Sequence, residues 1–277
     1  MTTHTARDTG APGERISITT APNLRDLGGW RTSDGSVVRR GVVYRSAELA
    51  RLSGDDVLAF GALGIRTVYD LRTAAERSAH PDQLPPPTKL TVLDVLADAT
   101  GAAPAELAEA LHDPHAASAA LGDGKAQSMF VAAYGDLVTL PSAIGAYRRL
   151  FTELADAEHR PALFHCTTGK DRTGWAAAAL HMLLGVSEDD VMRDYLLTNE
   201  ELLPQLKPIF DRFQAAGGDP AILRPVLGVD RAYLSAALER MRESYGGIDA
   251  YFSRGLGIDD TTLEHLRGAL IDRPLSD

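Results

Sequence analysis

Ala162-Leu163-Phe164-His165-Cys166-Thr167-Thr168-Gly169-Lys170-Asp171-Arg172-Thr173-Gly174-Trp175 is the stretch on which the reading of the chain turns. The apolar run 162–164 reads as a buried strand, and the helix formers from Ala176 to Leu184 as a helix. A small-residue loop between them is a ready anion cradle. Its N–H groups can turn inward, and the helix adds about half a positive charge at its N-terminus. One cysteine and, six residues later, one arginine stand in that loop. Arg172 can fork two oxygens of a tetrahedral dianion while Cys166 lies beneath its central atom. Thiols at helix N-termini and beside cations ionise readily, and a thiolate attacks phosphorus to form a thiophosphate ester. Thr173 could donate its hydroxyl to the sulfur and make it a better leaving group. His165 is expected to order the loop, because a thiolate needs no base.

The string His165-Cys166-x5-Arg172-Thr173 resembles the signature of the cysteine-dependent phosphatases. The fuller HCTTGKDRTG resembles a bacterial tyrosine phosphatase branch with Lys-Asp before the arginine. Asn23-Leu24-Arg25-Asp26-Leu27-Gly28-Gly29 is similar to that branch's N-terminal turn, and Tyr44-Arg45-Ser46-Ala47-Glu48-Leu49 to the segment after it. Asp70-Leu71-Arg72 and Asp194-Tyr195-Leu196 with Asn199 also fit, so the resemblance covers most of the chain from about Asn23. It implies hydrolysis of phosphotyrosine, often of phosphoinositides too. It also implies a phosphate site built from His165, Thr167, Thr168, Gly169 and Lys170 around Cys166 and Arg172. Thr167 is smaller than the residue usual at that position.

The leaving oxygen needs a proton, and carboxylates commonly supply it. The resemblance implies an acid on a loop after another strand, which nominates Asp94 and then Asp98, although the usual Pro-Asp context is absent. Asp171 is the rival inside the loop. An ionised carboxylate there repels phosphate, which suits either an acid or a water-activating base. A purely structural Asp171 is an equal alternative. Lys170 adds a cation useful for a ligand with several phosphates, so a phosphoinositide phosphatase is the second reading. A phosphate-binding module without turnover is the third, against which the intact Cys166 and Arg172 argue.

At 277 residues and 44% apolar content the chain can bury a large core. One cysteine excludes an intrachain disulfide, and no metal-ligand cluster or cofactor is expected. His112 and His115 lack a third ligand. A net charge of −10 argues against affinity for nucleic acid or anionic membranes, so positive potential has to be concentrated at the loop. No stretch approaches the ~20 apolar residues of a membrane span, and no signal-peptide apolar region stands at the N-terminus. The chain is therefore expected to be cytoplasmic, or secreted without a recognisable signal, and not stably inserted in a membrane.

Strand–helix alternation in the first half and helices in the second predict an α/β sandwich, and the resemblance implies that it is a cysteine-phosphatase-like fold. Its central sheet should hold four or five mostly parallel strands. Ile16–Thr20, Ile65–Leu71 and Leu90–Val95 are expected strands. Residues 1–15 read as a disordered leader, 16–277 as one domain and 96–125 as an insertion. Pro204 and Pro208 are expected to divide residues 199–228 into short helical pieces that could close over the site as a lid. Arg45 and Glu48 read either as site residues or as surface ion-pairing groups, with the second preferred.

Overall fold

The computed structural model describes residues 10–99 and 113–273. A five-stranded sheet runs β1 (Arg25–Asp26), β3 (Val43–Ser46), β6 (Ala162–His165), β4 (Thr67–Asp70), β5 (Lys89–Val92) in spatial order. Only β1 is antiparallel to its neighbour. A separate ribbon pairs β2 (Val37–Val38) with β7 (Ile271–Asp272). Ser46, His165, Asp70 and Val92 align at one level, so the carboxyl ends of four parallel strands open on the same side. In such sheets ligands bind outside those ends. The sheet is the predicted one, although β4 and β5 are shorter than expected and Ile16–Thr20 forms no strand.

Alternate side chains of each central strand enter different layers. Val43, Tyr69 and Phe164 face the main core, whereas Tyr44, Val68 and Leu163 face a smaller one with Phe60 of α1 (Asp55–Ala62). After β4 comes the short α2 (Ala74–Ala79), and after β5 come α3 (Pro114–Leu121), α4 (Lys125–Thr139) and α5 (Pro141–Ala155). The helix after β6 is α6 (Arg172–Leu183). Eleven of its twelve residues are buried, as an apolar helix enclosed on every side must be. A third cluster joins Ala117, Leu121 and Ala126 to Phe213, Leu223 and Val226. The described end of the predicted insertion therefore packs against the predicted lid segment.

That segment corrects the expectation drawn from its prolines. α7 (Glu188–Ala215) is one 28-residue helix that carries both Pro204 and Pro208. The two prolines are four residues apart and both are exposed, so the carbonyls they leave unpaired face water. Beyond it lie α8 (Arg224–Leu227), α9 (Arg231–Tyr245), the short α10 (Ile248–Ala250) and α11 (Asp260–Leu270). Residues 1–9 of the expected leader and 100–112 of the insertion, His112 included, lie outside the described residues. Residues 10–15 do not fit a disordered leader, because Glu14 closes a turn on Ala11 and Arg15 bridges to Arg25. No single described helix is long and apolar enough to cross a membrane.

Candidate active site

β6 ends at His165 and α6 begins at Arg172, and the chain between them closes into a cradle. Four successive carbonyls are drawn outward. Cys166 O meets His165 Nδ1 at 3.0 Å, and Thr167 O accepts from the Glu48 N–H at 3.1 Å. Asn23 Nδ2 donates to Thr168 O at 3.2 Å and Gly169 O at 3.0 Å, while Arg45 Nη2 adds a 2.7 Å bond to Gly169 O. Peptides whose carbonyls are held outside present their N–H groups to the interior. The Asp171 side chain does not cap α6, and its first-turn N–H groups have no side-chain acceptor among the described residues, which leaves them open to an anion at the loop. Gly169 is required for this curve. Its φ is +68°, and a Cβ there would lie 2.2 Å from the Ser46 carbonyl oxygen. Cys166 is buried on the floor, whereas Thr167, Thr168 and Asp171 are half-buried on the rim.

Arg172 is also on the floor, and its partner was not foreseen. Nη1 and Nη2 donate to the two oxygens of Glu76, each at 2.7 Å. Glu76 accepts from Thr167 Oγ1 at 2.5 Å and from the Thr73 N–H at 2.8 Å, which caps α2. Burial alone would raise the Glu76 carboxyl, but Arg172 holds it well below the usual carboxylate range. This end-on fork fixes the guanidinium plane and leaves the Nε side as an edge for two further oxygens.

The clamp around the loop is anchored from α7. Asp194 receives Arg25 Nε at 3.0 Å and Arg45 Nη1 at 2.9 Å, all three side chains being buried. Arg25 also donates to Asn23, the residue that holds the loop carbonyls. The preferred reading of Arg45 as a surface group is thus wrong; it is fully buried. Burial and the neighbouring Arg25 charge draw it down to about 10. Burial alone would raise Asp194, but Arg25 and Arg45 hold it well below the ordinary value. A depressed folded-state value contributes stability above the unfolded value of about 4, and that stability is lost as pH falls through the folded one. Asp194→Asn is expected to cost about 3–5 kcal/mol in urea unfolding, because two buried guanidiniums lose their counter-charge. The Asn variant should also lose less stability than wild type on acidification below about pH 4.

Below the cradle, His165 Nε2 is 3.1 Å from Asp82 Oδ2. Asp70, Asp82 and His165 bring ligand atoms within 4.8 Å of one another. Arg72 donates to both carboxylates at 2.8 Å and to Glu48 at 3.0 Å. Its guanidinium supplies the cation that cluster needs, so the residues do not suit a metal.

The remaining predicted residues divide. Lys170 Nζ lies 4.1 Å from the Phe130 ring centroid and 2.7 Å from Asp171 Oδ1. Thr173 Oγ1 is buried and makes no hydrogen bond, either to the sulfur or elsewhere among the described residues. Asp94 lies two residues past β5, on the side where the loop opens. Its Oδ1 accepts from the Leu96 N–H at 3.1 Å, and Oδ2 is 3.9 Å from Arg77 Nη1. Asp98 instead accepts from the N–H and hydroxyl of Ser142 at the start of α5, which binds it away from acid duty. Glu76, Asp82 and Tyr134 escaped the sequence reading. Only Glu76 carried a signal, in the capping-box spacing of Thr73-x-x-Glu76, and that spacing does not reveal Arg172 as its partner.

A mostly parallel sheet flanked by helices, with this loop at a central strand end, is the architecture of a phosphatase fold, and the chain belongs to the tyrosine phosphatase family, whose model matches residues 16–272. It is a phosphatase enzyme. It is 32% identical to the triple specificity protein phosphatase PtpB of Mycobacterium tuberculosis, over 90% of this chain and 99% of that protein. It is 29% identical to a Cupriavidus necator protein provisionally assigned as a tyrosine-protein phosphatase, over 91% and 87% of the two chains. A tyrosine-protein phosphatase of Nostoc commune is 28% identical, over 80% and 72%.

Proposed function

We propose that the chain hydrolyses phosphomonoesters, phosphotyrosine in proteins foremost, through a phosphate ester on Cys166. The observation that supports this is the cradle of outward-bonded carbonyls with Cys166 at its floor and the free edge of Arg172 beside it. The loop N–H groups and Arg172 take the three non-bridging oxygens. The Cys166 sulfur attacks phosphorus in line with the departing oxygen, and charge developing on the equatorial oxygens meets fixed donors. Asp94 protonates the leaving oxygen. Water then attacks phosphorus, and the S–P electron pair returns to sulfur. Thr173, whose hydroxyl is uncommitted, is placed in sequence to receive that developing charge.

Two donors already converge on Asp171 Oδ1, which suits a carboxylate acceptor and favours action in the second step over leaving-group protonation. Asp94→Asn is therefore expected to slow esters with poor leaving groups by about 10²–10⁴-fold while barely affecting an activated aryl phosphate. Leaving-group sensitivity appearing only in Asp171→Asn would transfer the acid to the loop.

A second phosphoester class is supported by Lys170, a second cation in the loop whose ammonium lies 2.7 Å from Asp171 Oδ1, and by the triple specificity in the mycobacterial relative's name. Phosphotyrosine peptides, phosphoserine peptides and phosphoinositides should be compared by kcat/KM. The proposal expects phosphotyrosine to lead, and equal values across the three would remove tyrosine preference. Inorganic phosphate should also protect Cys166 from alkylation. An unchanged alkylation rate at saturating phosphate would show that the loop is not the anion site.

A further inference from the structure

Asp171 is the N-terminal boundary residue of α6, yet its side chain does not cap the helix. It turns instead to α4, where Tyr134 Oη donates to Oδ1 at 2.8 Å. Tyr134 is fully buried, and its hydroxyl lies 2.6 Å from that of Tyr195 on α7, also fully buried. Proton count fixes the direction. Lys170 Nζ, a donor only, already faces Oδ1, so Tyr134 spends its one proton on Asp171 and Tyr195 must donate to Tyr134. The chain reads Tyr195 to Tyr134 to Asp171, with Oδ2 of Asp171 in no hydrogen bond among the described residues.

Packing leaves the chain little freedom. The Tyr134 ring meets Tyr195 edge-on at 6.1 Å and Tyr233 at 5.7 Å. A Cβ on Gly174 would lie 3.0 Å from Tyr195 Cε2, so the bare glycine lets Tyr195 approach the first turn of α6. Both hydroxyls prefer their neutral form, because burial and then the nearby Asp171 charge raise the phenols well above the ordinary value. They therefore remain donors throughout the working pH range.

We infer that Tyr134, oriented by Tyr195, is a positioning residue that holds Asp171 with one oxygen committed and the other free to take a proton from the water that hydrolyses the cysteinyl-phosphate. This rests on the reaction proposed above. In the step, water oxygen bonds to phosphorus, the S–P bond breaks with its electron pair on Cys166, and one water proton passes to Asp171 Oδ2 and then to solvent. The products are inorganic phosphate and the thiolate. Tyr134 gives up no proton; it sets the direction of the carboxylate.

The test is Tyr134→Phe and Tyr195→Phe in the full chain, with a series of aryl phosphates of graded leaving ability. Slower hydrolysis of the intermediate lowers kcat and KM together and leaves kcat/KM, which reports its formation, unchanged. Tyr134→Phe is expected to lower kcat about 10–100-fold, part of the 10²–10⁴ that a general base contributes, equally for all leaving groups. Phosphate trapped on Cys166 at steady state should rise. Tyr195→Phe should act in the same direction and less, and the double variant should be no slower than Tyr134→Phe. A merely structural role would lower kcat/KM with kcat and leave the trapped phosphate unchanged, and that result, or an unaltered kcat, overturns the inference. If Tyr134→Phe does not fold, Tyr195→Phe alone decides by the same split. Wild type that turns over with no phosphate on Cys166 would remove the proposed reaction itself, and the inference with it.

Discussion

Cys166→Ser is expected to abolish turnover of aryl phosphates, by about 10⁶-fold, the scale seen when a covalent nucleophile is removed. A serine hydroxyl is far less acidic than a thiol and is a weak nucleophile until a base takes its proton. His165, the adjacent imidazole, has Nδ1 3.0 Å from the Cys166 carbonyl oxygen and Nε2 3.1 Å from Asp82 Oδ2, and it makes no hydrogen bond to the Cys166 side chain. The cradle should survive, since its carbonyls are held by Asn23, Arg45 and Glu48 and not by the sulfur. Phosphate or vanadate should therefore still bind the variant. Calorimetric titration beside an activity assay checks both halves, and appreciable turnover by Cys166→Ser would refute the nucleophile.

Arg172→Lys is expected to lose roughly 10³–10⁵ in kcat, on the scale of transition-state arginines in phosphoryl transfer. A lysine ammonium is a point donor. It cannot keep the end-on fork to Glu76 and offer a second planar edge to phosphate at the same time. Glu76→Gln is the companion variant. It keeps the size of the side chain and removes the charge that aligns the guanidinium, so kcat should fall less than in Arg172→Lys. Far-ultraviolet circular dichroism should show both variants folded, and near-wild-type turnover by Arg172→Lys would overturn the assigned role.

The loop and the sheet were legible because local signals mark them: apolar runs for β4 and β6, Gly169 within the turn and helix formers after it. The paired motifs around Asn23, Arg45 and Asp194 were visible as strings, but their meeting was not, because the contacts span 145 to 169 positions. Burial of Arg45 depends on a counter-charge from α7, and no local pattern predicts that. The prolines misled for a related reason. Their cost inside a helix depends on which face they occupy, and both Pro204 and Pro208 face water. Glu76 hid behind an ordinary capping box. Tyr134 looked like any aromatic of an amphipathic helix until α7 brought Tyr195 to its hydroxyl.

Rapid acid quench of the wild type with a radiolabelled aryl phosphate, followed by peptide mapping, tests the central claim most directly. The account predicts phosphate on the peptide carrying Cys166, appearing within one turnover, decaying at the rate of phosphate release and missing from Cys166→Ser. Full turnover with no phosphate on Cys166, or with the label on another residue, would contradict it.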